Sequence, residues 1–324
     1  MARRFDVRAP VFFSEGRWRT EAELMQAMVL RTPSDDATIF YACIVLARAA
    51  YVSVAAIAEL ARIAFREAAD ETDGLEMRVS LFSMTRTLLE NEGVAWRQLA
   101  PVHFAERARS VLLGLLASRD DVQAATGKRV LVRLGLSRTF ESELHYRALA
   151  EVVLEHAPAL VGLDVLGIVT GSEPEPLPAP LVMILERLRP ALPDLTIHAG
   201  EFDGAASVER TLALSPRGIG HGVRSLESPR LLERLAREGV TLEVCPTSNR
   251  LLIPTSLGRI EREHGATPLL ALQRAHVHCV LGSDDPAPMG TSFTDELERA
   301  RAAGVDLSRL AADTQRRWTQ LTRP

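Results

Sequence analysis

Short apolar runs alternate along this chain with longer segments whose apolar residues recur at helical spacing. The runs at 129–136 (R-V-L-V-R-L-G-L), 160–166, 195–198, 218–221, 240–245 and 276–281 are rich in Val, Ile and Leu. Runs of this length and makeup predict buried strands. Two weaker strand candidates are 94–99 and 5–13, the latter interrupted by Pro10. Helical periodicity covers 103–119, 141–156, 181–189, 207–214, 293–303 and 307–321. Thr20 with Glu23 forms a capping box that opens a helix over 22–30. Ser228-Pro229 and Thr267-Pro268 each place a capping residue before a proline at the first helical position, and Gly239 closes the first of these two helices. Ahead of this rhythm, 38–69 predicts two or three packed helices with a break near Val52-Ser53, and 75–90 predicts another helix. Residues 176–180 predict a proline-rich loop.

These runs make eight strand candidates, most followed by a helix. Such alternation implies parallel strands with helical crossovers, an α/β protein. Eight units in one chain of 324 residues fit a (β/α)8 TIM barrel, with extra N-terminal helices, better than a doubly wound sheet. No shift of composition marks a boundary, so the expectation is a single barrel domain over 1–324 with a helical insertion around 38–90.

Composition narrows the classes of function. A hydrophobic fraction of 47% supports a large core, and a net charge of −4 argues against nucleic acid or an anionic membrane as partner. The basic start, Met1-Ala2-Arg3-Arg4-Phe5, is followed by no apolar signal region. The most apolar stretch, 40–58, carries Arg48 near its middle and reads as buried helices, not a membrane span. Cys43, Cys245 and Cys279 form no C-x-x-C, which fits reduced thiols and a cytoplasmic location. A homo-oligomer is left open.

Four polar clusters each close an apolar run: Thr196-Ile197-His198-Ala199-Gly200-Glu201, Gly220-His221-Gly222, Cys245-Pro246-Thr247-Ser248-Asn249 and Ser283-Asp284-Asp285-Pro286. In a (β/α)8 barrel the C-terminal strand ends converge on one face. The clusters are therefore expected to meet around one substrate. Cys245 reads as a small buried filler and Asn249 as a residue that holds the following loop. His103 and His145 read as surface residues, and His276 and His278 as packing residues. Arg299, Arg301, Arg309, Arg316 and Arg317 read as solvated helix faces.

T-I-H-A-G-E, G-I-G-H-G, L-E-V-C-P-T-S-N and L-G-S-D-D-P, in this order, resemble the adenosine deaminase family of metal-dependent amidohydrolases. Gly162-Leu163-Asp164-Val165-Leu166-Gly167 resembles the family's fourth-strand segment, and 93–97 a weakened second strand. The resemblance implies that His198 and Asp284 are metal ligands and that Glu201 protonates a purine ring nitrogen. It implies that His221 orients and deprotonates the attacking water. Asp285 and the Gly167 backbone NH would meet other ring nitrogens, and Glu15 a ribose hydroxyl. Hydrolytic deamination needs a hydroxide near neutral pH, which a metal supplies, and an acid of raised pKa at the ring.

One departure stands out. The family's first strand ends in H-x-H-L-[DE]-G, and the matching residues here are Val11-Phe12-Phe13-Ser14-Glu15-Gly16. Val and Phe cannot coordinate an ion, and two protein ligands fall short of the three a catalytic zinc normally has. The expectation is therefore no cofactor. Zinc or another divalent metal enters only through a rearranged His198–His221–Asp284 set. Glu201, His221 and Asp284 are the expected catalytic residues, with Glu15, Gly167, His198 and Asp285 binding substrate. The first reading is an enzyme acting on a purine nucleoside or analogue without the usual zinc. The alternatives are a non-catalytic nucleoside-binding pseudoenzyme and a deaminase with the rearranged metal set.

Overall fold

The computed structural model describes residues 9–167 and 177–322. Its internal contacts divide the chain into two compact units. The first comprises Met1–Val29, Tyr41–Gly162 and Pro178–Pro193, and the second Leu30–Phe40, Leu163–Leu177 and Asp194–Pro324.

In the first unit, Phe13–Ser14 (β1) and Arg17–Trp18 (β2) pair antiparallel around Glu15 and Gly16, both at positive φ. Val11 and Phe12 pack with Ala50 in a small apolar cluster, and the Phe13 ring meets Trp18 edge-on at 5.3 Å. Of the strand expected over 5–13, residues 5–8 lie outside the described residues and Phe13 belongs to this hairpin. The expected capping box is present: Thr20 accepts from the Glu23 backbone NH, and the Glu23 carboxylate accepts from the Thr20 NH. Ser53 caps the helix Val54–Glu71.

Gly74–Val79 (β3) pairs parallel with Arg129–Ser137 (β4). This corrects the helix expected over 75–90, which begins only at Leu81 and runs to Asn91. The misreading has a physical source. Glu76 and Arg78 are good helix formers, but in a strand they share one face, where Glu76 accepts from the buried Arg133 Nε at 2.6 Å. Residues 94–99 form no strand. Trp96–Gln98 is a 3-10 turn whose indole is buried against Phe82 and Phe104. His145 is likewise no surface residue. It is 5% exposed, packs edge-on against Trp96 and Phe104, and bonds Ser142 Oγ through Nδ1 at 2.7 Å. Burial of side chains such as Phe82 and Phe104 contributes roughly 1.5–3 kcal/mol each.

The second unit carries Gly162–Leu166 from Leu163 onward (β5), Leu195–Ala199 (β6), Gly218–His221 (β7), Thr241–Val244 (β8) and His278–Leu281 (β9). Neighbours in the chain pair in parallel, with Ile197 opposite Ile219 and Leu242 opposite Cys279. Helices between them bury Leu231, Leu235, Leu269 and Leu272 in one core with Ile219, Leu242 and Val277. The helix Pro229–Glu238 starts on the Ser228 cap and ends at Gly239, at φ 67, as expected. β9 begins at His278 and not at 276, because His276 sits at φ 61, outside strand geometry.

The described residues thus hold seven parallel strands where eight were expected. Two weak candidates drop out and β3 enters. Arg317, expected in solvent, is 4% exposed on the last helix, Leu307–Thr322. Its guanidinium donates to both Asp194 oxygens, at 2.6 and 2.7 Å, and lies 3.8 Å from Glu243. Helical periodicity places Arg317 on the inward face, and a buried acid there makes the burial tolerable. No described helix is long and apolar enough to cross a membrane.

Candidate active site

The site in the second unit is built from strand ends. At the end of β6, His198 stands opposite Gly220 of β7, and Ala199 opposite His221. A Cβ on Gly220 would lie 2.8 Å from the His198 ring, so glycine is what lets the imidazole lie across the neighbouring strand. His198 Nδ1 is 3.1 Å from Asp164 Oδ1, a fully buried carboxylate in β5. The His198 and His221 rings lie 5.2 Å apart, edge to face.

After β6 the chain turns at Gly200, at φ 67. The Gly200 NH donates to Asp203 Oδ1 at 3.1 Å and to Ser207 Oγ at 2.9 Å. This turn presents Glu201, which is 8% exposed and whose Oε1 is buried without a hydrogen-bond partner among the described residues. His221 and Asp284 both adopt positive φ, 59 and 58. Non-glycine residues hold that conformation at a cost of order 1–3 kcal/mol, and such outliers cluster at functional sites. Here the left-handed turn aims each side chain at the strand end.

His221 is 2% exposed, and Asn249 Nδ2 donates to its Nδ1 at 3.1 Å. The neutral ring then carries its proton on Nε2, which faces Glu201 Oε2 at 3.5 Å and Asp284 Oδ2 at 3.9 Å. Burial pushes the Glu201 carboxyl well above the ordinary range, and the charges of Asp284, Asp203 and Asp285 push it further. A carboxylic acid held neutral in this way is a proton donor.

The structure therefore brings together His198, Glu201, His221 and Asp284 among the expected residues. Asp285 follows Asp284 in the chain, and Gly167 directly follows β5 at φ 112. Glu15 lies in the first unit, at the exposed turn of the β1–β2 hairpin. Three residues went unrecognised in the sequence. Asp164 was visible as a lone acid in an apolar strand, a pattern that demands a partner. Asn249, expected to hold a loop, holds His221. Asp203 carries no sequence signal beyond its closeness to Glu201.

Glu201, His221 and Asp284 offer ligand atoms that all lie within 4.8 Å of one another. Val11 and Phe13, which the resemblance sets against the family's first-strand ligands, carry no donor atom and pack with apolar neighbours in the first unit. One prediction concerns the strand contact. Gly220→Ala is expected to displace the His198 ring from Asp164, costing about 1–3 kcal/mol of stability. A urea denaturation midpoint unchanged from the parent would contradict the packing described here.

A sequence model of the adenosine deaminase family matches residues 19–316. An adenine deaminase of Chelativorans sp. (strain BNC1) is 34% identical over 203 residues, 62% of this chain and 59% of the relative. The match thus spans less than two thirds of that relative's length. An adenosine deaminase of Erwinia tasmaniensis is 31% identical over 253 residues, 73% of this chain and 72% of the relative. Among solved structures, an adenine deaminase from Arthrobacter aurescens superposes with a TM-score of 0.71 at 19% identity, covering 96% of this chain and 87% of that one. The Arabidopsis protein ADAL, solved complexed with IMP, reaches 0.64 at 18% identity, covering 86% and 76%. The structural likenesses show the fold, the parallel α/β barrel class implied by the strand–helix alternation. With strand-end motifs, site geometry and the match over residues 19–316 in agreement, this chain belongs to the adenosine deaminase family of the amidohydrolase superfamily.

Proposed function

We propose that this protein is an enzyme acting on a purine nucleoside or a close analogue through acid–base chemistry that does not use the family's ordinary metal site. The observation that carries the reading is Glu201, a buried carboxyl with one orphaned oxygen, 3.5 Å from His221 Nε2 and pushed towards its protonated form. Glu201 donates its proton to a purine ring nitrogen as water adds at the neighbouring ring carbon, and the resulting Glu201 carboxylate takes up the proton that the added water releases. Glu201 Oε2 lies 3.5 Å from His221 Nε2, and the same nitrogen lies 3.9 Å from Asp284 Oδ2. Asp164 and Asn249 fix the two imidazoles. That the relatives are adenine and adenosine deaminases supports a purine as the ligand class.

The clustering of Glu201, His221 and Asp284 donor atoms favours a second reading, a metal-dependent deaminase with a rearranged site. It would draw on Glu201 in place of His198, and so remove the acid.

The test is a panel of purine bases, nucleosides and nucleotides, including N-methylated ones, assayed on chelator-treated protein and again with zinc, iron, nickel or manganese. The expected result is turnover by the chelator-treated protein, unchanged by metals. Turnover that appears only with stoichiometric metal supports the second reading. Saturable purine binding with no turnover under any condition makes the protein a nucleoside binder and overturns both.

A further inference from the structure

The second unit contains a cavity of about 180 Å³ away from the acid–base cluster, between β8 and the surrounding helices. Leu257, Leu269 and Val305 supply much of its apolar wall. Asn249 and Thr267 also line it, and Asn249 Oδ1 and Thr267 Oγ1 are buried with no hydrogen-bond partner among the described residues. Thr267 precedes the helix Pro268–Arg274, yet its side chain makes no capping bond. The charged lining residues are Arg250, Arg299 and Glu261, two cations against one anion. Neither arginine has an ion-pair partner among the described residues.

Buried polar atoms left unsatisfied cost about 1–3 kcal/mol each. A dry apolar cavity of about 150 Å³ takes up a benzene-sized molecule. This cavity has room for a ring or a six-carbon chain, hydrogen-bonding groups in its wall, and a surplus guanidinium. That combination matches an amphiphilic acid better than a polyphosphate, for which the apolar wall is too large a share. Asn249 lines the cavity and also donates to His221 Nδ1 at 3.1 Å. A molecule bound against Asn249 is therefore one side chain from the acid–base pair.

We propose that this cavity is a regulatory binding site for a small aliphatic or aromatic monocarboxylate, held by Arg299 and Arg250, which acts on His221 through Asn249. The binding claim is independent of the proposed reaction because it is read out by binding, and only the link from Asn249 to His221 shares residues with that reaction.

Calorimetry on the full chain with hexanoate and benzoate, and with hexanol and hexylamine as controls, tests it. The acids are expected to bind saturably with one site per chain, and the controls much more weakly. Arg299→Ala should weaken the acids by about tenfold or more. Ala303→Trp, at another lining position, should abolish binding. Thermal melts establish that both variants fold. Benzoate should also shift the His221 imidazole nitrogen resonances, assigned against His221→Gln, in the parent and not in Arg299→Ala. Hexanol binding as tightly as hexanoate, indifference to both substitutions, or no saturable binding at all would overturn the site. An unmoved His221 signal at saturation would overturn the regulatory role.

Discussion

Glu201→Gln is expected to abolish turnover and at the same time raise the melting temperature. The loss follows from chemistry. The amide keeps the shape of the carboxyl but has no proton of suitable acidity, and a positioned general acid is worth about 10²–10⁴ in rate. The gain in stability follows from burial. Glu201 holds its proton to a higher pH in the folded protein than in the unfolded chain, because the charged form is desolvated and faces Asp284, Asp203 and Asp285. Between the unfolded and folded values the native state binds more protons, so stability falls as pH rises through that window and then levels off. The contribution is thus fully present below the unfolded value and lost by the folded one. Glutamine removes that fall, and the variant should melt higher than the parent at neutral pH, with the gap closing as the pH drops into the ordinary carboxylate range. Melting curves across pH, paired with the purine panel, check both halves. A variant that melts lower than the parent at neutral pH would mean that Glu201 is ionised and well solvated.

The largest loss of stability is expected for Arg317→Met. Its guanidinium makes a two-pronged pair with Asp194 and approaches Glu243, with Thr196 Oγ1 at 3.4 Å, all in a buried setting. Removing the cation alone leaves buried carboxylates uncompensated, a change that costs about 3–5 kcal/mol. A solvent-exposed pair would cost about 0–1 kcal/mol. Urea unfolding of Arg317→Met separates the two cases. The double variant Arg317→Met with Asp194→Asn should recover part of the loss, since it removes the stranded charge along with its partner. A loss below about 1 kcal/mol would return Arg317 to the solvated face expected from the charged composition of the helix.

The strands from β4 to β9 were legible because each is an apolar run, the last four closed by a polar cluster, and hydrophobic burial acts on such runs whatever the distant context. β3 was not. Its Glu76 and Arg78 imitate a helix, and only the buried Arg133 opposite them makes a strand of that polarity stable. His145 was unreadable for a related reason. An imidazole on a helix is polar by composition, but an aromatic pocket and the Ser142 hydroxyl supply both halves of what its burial requires.

The same division runs through the site. His198, Glu201, His221 and Asp284 were identifiable because strand ends converge in this fold class, so motif order alone implies a meeting point. The absence of first-strand histidines was equally a property of the sequence, since no packing gives Val11 or Phe13 a donor atom. What the tertiary structure decided is how these residues behave. Asp164 orients one imidazole and Asn249 sets the proton position on the other, and neither pairing is near in the chain. Burial, with the charges of three nearby carboxylates, pushes the Glu201 carboxyl well above the ordinary range. Residue identity determines which atoms are available. Their ionisation and direction depend on distance and on exclusion of water, and those exist only once the chain has folded.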